Sequence, residues 1–139
     1  MPRIDGINPL LVYDDLQAAH DFLVEAFGFT SGGVERADDQ RVVHAEVRAG
    51  DTTVWLHRAA AEHGLEPPRS QASASGGLGV RVDDVDAHYA RARAAGASID
   101  GEPQDMPYGL REYGARDPEG HRWWFSSPVK RAAEAETGG

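Results

Sequence analysis

The stretch Asp83-Asp84-Val85-Asp86-Ala87-His88-Tyr89-Ala90-Arg91-Ala92-Arg93-Ala94-Ala95-Gly96 decides the fold, because an earlier stretch follows the same plan. Paired aspartates open it, and a short acidic side chain at a helix N-cap satisfies one of the first free backbone N–H groups. Val85, Tyr89, Ala92 and Ala95 fall on one stripe at helical spacing. Gly96 then stops the helix in the left-handed conformation. Asp14-Asp15-Leu16 through Gly28 repeats the plan: paired aspartates, a stripe of Leu16, Ala19, Phe22, Leu23, Ala26 and Phe27, and a closing glycine. The spacing predicts a helix one residue longer in the first copy. A repeated cap-helix-glycine unit is stronger evidence for architecture than any single element.

The strands lie on either side of these two helices. Ile7 to Tyr13 reads as a buried strand before the first helix, and Leu78, Val80 and Val82 alternate along a strand before the second. Three strands follow the first helix: Phe29 to Glu35, weakened by Gly32-Gly33, then Arg41 to Ala49, then Thr52 to Arg58. Three follow the second: Ile99 to Gln104, Leu110 to Arg116 and His121 to Ser127. The expectation is an α+β fold of eight strands in two βαβββ modules within one domain spanning 1–130. Module one covers 4–58, a Pro- and Gly-rich linker covers 59–76, module two covers 77–128, and 131–139 form a flexible tail. The expected core includes Phe22, Phe27, Val43, Val47, Leu56, Val80, Val82, Trp123 and Phe125.

Composition narrows the function. A formal charge of -9 over 139 residues disfavours non-specific nucleic-acid binding. No apolar run is long enough to span a membrane, and no signal-peptide pattern opens the chain, so a cytoplasmic location is expected. The absence of cysteine removes disulfides and thiolate chemistry. Neither a Gly-x-Ser-x-Gly motif nor a phosphate-binding glycine loop is present. Of the six histidines, His20 and His88 are expected on helix surfaces or flanks, His63 in the linker, and His121 in a structural role beside a turn.

The last strand carries the functional question. Asp117-Pro118-Glu119-Gly120 has the residue types of a tight turn. Alternation beyond it places Trp123 and Phe125 on one face and Arg122, Trp124 and Ser126 on the other. The same alternation puts Asn8, His44, Glu46, Arg48, Trp55, His57, Gly77, Gly79, Arg81 and Glu112 on the face away from the helices. Tyr108, in the turn before the Leu110 strand, joins this set as a candidate ligand contact. The two tryptophans offer flat surfaces for stacking, and the two glycines leave room beside them.

The tandem βαβββ plan, the segment Gly109-Leu110-Arg111-Glu112-Tyr113-Gly114-Ala115-Arg116-Asp117-Pro118-Glu119-Gly120-His121, and Val82-Asp83-Asp84-Val85-Asp86 together resemble the vicinal oxygen chelate superfamily. That group holds glyoxalases, extradiol dioxygenases and bleomycin-resistance proteins. The resemblance is nearest to the metal-free bleomycin-resistance branch and covers about Ile7 to Ser127. It implies two modules whose curved sheets form a half-barrel cavity, and a homodimer, often one in which modules of different chains pair. Metal-dependent members use His and Glu at four strand positions, which here carry over to Asn8, Trp55, Gly77 and Trp124. Those side chains do not make a divalent-ion site, so no metal or other cofactor is expected.

The resulting expectation is a protein that binds, without turnover, a large aromatic ligand such as an antibiotic, through Trp55, Trp124, Asn8, His44, Glu46, His57, Arg81, Tyr108, Glu112 and Arg122. Two alternatives remain open. One is a lyase, isomerase or oxygenase with a relocated metal at His44, Glu46 and His57. The other is a metal-free enzyme with Glu46 or Glu112 as general base.

Overall fold

A computed structural model describes residues 2–68 and 76–130. The chain divides into two compact units, Met1–Pro68 and Arg69–Gly139. The first contains β1 (Leu10–Tyr13), α1 (Leu16–Glu25), β2 (Thr30–Arg36), β3 (Val42–Ala49) and β4 (Thr52–Arg58). Its sheet runs β1-β4-β3-β2. The β1–β4 pair is parallel and the others are antiparallel. The second contains β5 (Leu78–Arg81), α2 (Val85–Ala94), β6 (Ser98–Ile99), β7 (Gln104–Asp105), β8 (Leu110–Arg116) and β9 (Arg122–Pro128). Its sheet runs β5-β9-β8-β6, with β7 also on β8, and β5–β9 is its parallel pair. Each unit is thus a helix on one face of a mixed sheet, and the fold is α+β.

Both helices begin as the aspartates require. Asp15 accepts from the Ala18 N–H at 3.0 Å and Asp84 from the Ala87 N–H at 3.1 Å. Gly28 and Gly96 take the left-handed conformation with φ of 80° and 87°. At the end of α2 the Ala97 N–H reaches the Ala92 carbonyl and the Gly96 N–H the Arg93 carbonyl, the paired bonds of a Schellman cap. The two helices are equal at ten residues each. The extra residue of the first copy lies in its exit turn, Ala26-Phe27, and not in the helix.

The helix-facing side of each sheet is the core. In the first unit Tyr13, Leu23, Ala45, Val47 and Leu56 are completely or almost completely buried. In the second, Trp123 stacks on Phe125 with centroids 6.3 Å apart, and Phe125 on Tyr113 at 5.5 Å. Asp117 anchors this cluster. One carboxylate oxygen accepts from the Glu119 and His121 N–H groups, and the other accepts from Trp123 Nε1 at 3.1 Å. A turn residue and a core indole are therefore fastened by one buried side chain.

Several expectations need correction. The described residues hold nine strands, not eight, because Ile99 to Gln104 is two short pieces. Asp100 still bonds Gly114 through its N–H, but Pro103 has no N–H to give, and the chain leaves the ladder until Gln104 pairs with Glu112. The first strand begins at Leu10, not Ile7, since Pro9 likewise lacks a donor. Ile7 is 81% exposed instead of buried. Phe22, Val43, Val80 and Val82 are only half-buried. Phe22 lies on α1, and Val43, Val80 and Val82 lie at or near strand ends. His20 is not a surface residue, and His88 is half-buried on its helix. His20 is buried, and His88 packs its ring 4.1 Å from Phe125. Within the expected linker, Ala61–His63 form a 3-10 turn tied by an Ala60–Leu65 bridge. Residues 69–75 and the expected tail 131–139 lie outside the described residues.

Candidate functional site

Alternation along β4 and β9 decides which side chains leave the core. Val54 and Leu56 are buried while Trp55, between them, is 38% exposed; Trp123 and Phe125 are buried while Trp124 is 37% exposed. Each unit therefore presents one indole on the sheet face opposite its helix.

In the first unit, Trp55 is the cross-strand neighbour of Leu10 on β1 and Glu46 on β3. His44 and His57 stand directly opposite each other one step along. His44 Nε2 lies 3.2 Å from Glu46 Oε1, and His57 Nδ1 donates to its neighbour's carbonyl, Arg58 O, at 2.7 Å. All three are half-buried. Asn8, just before β1, donates its amide to the Thr53 carbonyl at 3.0 Å, which ties the strand's entry to β4.

The second unit surrounds its indole differently. The cross-strand neighbours of Trp124 are Gly79 on β5 and Gly114 on β8. A Cβ at Gly114 would lie 3.3 Å from Trp124 Nε1. A Cβ at Gly77 would collide with Trp124 Cζ3 and would lie 2.7 Å from the Arg122 carbonyl. The ring thus spans the sheet from Gly114 to Gly77, resting where side chains are missing. Above it, the Arg122 guanidinium carbon is 5.3 Å from the ring centroid, within cation–π range. Asp100 Oδ2 accepts from Arg122 Nη2 at 2.7 Å and fixes that cation. Arg81 and Glu112 lie on the same face, both opposite Ser126. Tyr108 is exposed and donates its hydroxyl to Glu112, which holds the phenol above its ordinary range.

Residues 3–125 match the family model of the Glyoxalase/Bleomycin resistance protein/Dioxygenase superfamily. The chain belongs to this superfamily. The crystal structure of TioX from Micromonospora sp. ML1 is similar at 37% identity and a TM-score of 0.68, covering 89% of this chain and all of that one. A glyoxalase/bleomycin resistance protein from a Streptomyces species is similar at 30% identity and a TM-score of 0.61, covering 87% of this chain and all of that one. An uncharacterized protein of Mycobacterium tuberculosis is 32% identical over 128 residues, 90% of this chain and 75% of that protein.

Superfamily members that use a divalent metal need oxygen and nitrogen ligands, and the residues at the corresponding places do not fit one. Asn8 offers at most a neutral amide oxygen, a weak ligand, and its amide nitrogen is bonded to the Thr53 carbonyl. Gly77 has no side chain, and the space a ligand would take there is filled by the indole of Trp124. Among the described residues no group of three or more His, Cys, Asp or Glu side chains is placed to hold a metal ion. His44, Glu46 and His57, the alternative set, share a face without converging on a point.

Gly77 was expected to leave room for a ligand, and that expectation is corrected: its room is taken by Trp124. Gly79 does open onto free space, since a Cβ there would meet nothing within 4 Å. Two residues that shape the surroundings of Trp124 were not among the expected contacts, Asp100 and Gly114. Gly114 had a legible signal, a glycine in the middle of a strand. Asp100 had none, because its meeting with Arg122 depends on how β6 leaves β8.

Proposed function

We propose that the protein binds a planar aromatic small molecule without turning it over, in the manner implied for the drug-binding members of its superfamily. The observation that carries this reading is the Trp124 platform. An indole laid over Gly77 and Gly114, capped at one side by Arg122, is fixed before any ligand arrives. A preorganised aromatic surface loses little conformational entropy on binding, so stacking goes largely into affinity. Trp55 offers a second exposed indole on the other unit, with His44, Glu46 and His57 as polar neighbours for orientation. Arg81, Tyr108, Glu112 and Arg122 supply the polar rim around Trp124. The ligand-free resting protein is expected to carry no stoichiometric divalent ion, and elemental analysis of protein purified without chelator checks this.

The test is titration with bleomycin and with anthraquinone-2-sulfonate, read by tryptophan fluorescence. Binding quenches emission with a defined stoichiometry, and the ligand is recovered chemically unchanged. Trp124→Ala weakens binding by about 1–3 kcal/mol, the range for losing one stacked aromatic anchor. Recovery of an altered ligand would replace this reading with an enzymatic one, for which Glu46 and Glu112 are the candidate bases. A homodimer belongs to the same proposal. Ile4 and Ile7 lead exposed into the edge strand β1, and an open, apolar edge favours pairing. Sedimentation at high micromolar concentration showing only a 15.0 kDa species would remove the dimer.

A further inference from the structure

On the helix side of the first unit, five side chains form a continuous polar chain that the aromatic face does not use. Arg36 Nη2 donates to Gln17 Oε1 at 2.6 Å, and Gln17 Nε2 donates to Asp21 Oδ1 at 3.0 Å. The same carboxylate oxygen lies 2.9 Å from His20 Nδ1, and His20 Nε2 lies 2.7 Å from Ser31 Oγ. His20 is buried, whereas Ser31 is exposed.

The donor inventory sets the proton positions. An ionised carboxylate only accepts, so the hydrogen of a neutral His20 sits on Nδ1 and points at Asp21. Nε2 is then the acceptor and takes the hydroxyl hydrogen of Ser31. Ser31 Oγ in turn accepts from the Gly33 N–H at 3.2 Å. A hydroxyl backed by a base that a third group orients is the general signature of an activated nucleophile.

The backbone is shaped around this contact. Strand β2 shifts register between Ser31 and Gly33, so Gly32 is an inserted residue. Ser31 stands opposite buried Val47 and Val34 opposite buried Ala45, so the bulge keeps both on the helix side. Gly32 admits no side chain, because a Cβ would come within 2.8 Å of Glu46 Cβ, and Gly33 has a φ of +109°. Bulges of this kind re-aim side chains and are enriched beside active sites.

We infer that Ser31, with His20 as general base and Asp21 as a positioning residue, is a nucleophile for acyl transfer from small carboxylic esters. The Ser31 oxygen attacks the ester carbonyl carbon as His20 Nε2 takes the hydroxyl proton. The bond from that carbon to the leaving oxygen breaks, and His20 returns the proton to the departing alkoxide. Water, deprotonated by the same nitrogen, then releases the acid and restores the serine hydroxyl. With a fluorophosphonate the serine oxygen attacks phosphorus, fluoride leaves and the proton stays on His20.

The experiment uses the intact chain and two probes, a simple alkyl fluorophosphonate and p-nitrophenyl acetate. Mass spectrometry should find one phosphonyl adduct per chain, and peptide mapping should place it on Ser31. Ser31→Ala should abolish the adduct, and His20→Gln should slow its formation by about 100-fold or more, the scale of general-base assistance. Asp21→Asn should lower the maximal acylation rate with p-nitrophenyl acetate while the half-saturating concentration stays unchanged. Mapping on the unmodified sequence needs no variant to fold. No adduct, an adduct confined to other residues, or equal labelling rates in wild type and a folded His20→Gln protein would each overturn the assignment.

Discussion

Trp55 and Trp124 hold equivalent places. Each sits on the strand that pairs in parallel with the first strand of its unit, β4 with β1 and β9 with β5. Each is flanked along its strand by buried residues and is about equally exposed. Their lateral neighbours differ. Trp55 stands between Leu10 and Glu46, while Trp124 stands between Gly79 and Gly114. Large neighbours let an indole stand among side chains, whereas glycines let it lie on the backbone. The helices differ in parallel fashion. The histidine of α1 meets a carboxylate and a hydroxyl, and that of α2 meets the Tyr113 phenol at 2.6 Å and the Phe125 ring. One repeated plan thus yields a polar helix–sheet seam in one unit and an aromatic seam in the other.

The largest expected effect separates Trp123 from Trp124. Trp123 is completely buried, stacks on Phe125 and donates to Asp117. Trp123→Ala should cost about 3–5 kcal/mol of stability, the range for removing a large aromatic from a core. Trp124→Ala should cost far less, because the indole is 37% exposed instead of buried. Denaturant melts of the two variants test this. Equal losses would mean that Trp124 is a core residue and not a platform.

The next effect separates two glycines of the same segment. Gly77→Ala places a Cβ against the Trp124 ring and the Arg122 carbonyl, and backbone cannot give way cheaply. A loss of about 1–3 kcal/mol is expected, together with altered tryptophan fluorescence as the indole is lifted. Gly79→Ala meets open space and should stay within about 0.5 kcal/mol of wild type. A Gly77→Ala protein with unchanged stability and emission would show that Trp124 does not rest there.

Much of the fold is legible in the sequence because its signals are local. Asp15 and Asp84 cap their helices with their own side chains, and Gly28, Gly96 and Gly120 take positive φ at turns that require it. Strand alternation likewise separates Trp123 from Trp124 without any knowledge of neighbours. What the sequence conceals are meetings across distance. Nothing in Gly77 or Gly114 says that one indole lies on both, and nothing in His20 says that Ser31 comes to it from β2. The Gly32-Gly33 pair reads as a weakened strand, and its use as a bulge depends on the approach of Glu46. Site residues are set by such contacts, so the open face could be read by alternation while its internal geometry could not.

The capping aspartates give a smaller effect that compares the units directly. Asp15→Ala and Asp84→Ala each remove one side-chain bond to a helix N-terminus and should each cost about 1 kcal/mol. Both helices have ten residues, so similar losses are expected from equivalent positions. Thermal melts of the two variants make the comparison. A loss confined to one would show that the other helix is held by packing alone.

The smallest effect concerns the aromatic seam of the second unit at alkaline pH. Burial, with a lesser contribution from Tyr89, pushes the Tyr113 phenol well above its ordinary value. In the unfolded chain the phenol ionises near pH 10. Below that pH both states keep the proton and the contribution to stability is complete. Above it the unfolded state loses the proton first, so stability falls as pH rises, by less than about 1.4 kcal/mol per pH unit for one group. Between pH 9.5 and 10.5 the fall is therefore shallow, and Tyr113→Phe should flatten it relative to wild type. Tyr108 shifts in the same direction through its bond to Glu112, but it is exposed, where solvent screening leaves little coupling to folding. Tyr108→Phe should accordingly keep the wild-type slope. If instead Tyr108→Phe flattens the curve and Tyr113→Phe does not, the titrating phenol lies on the open face, and the seam between α2 and β8 is wetter than its packing implies.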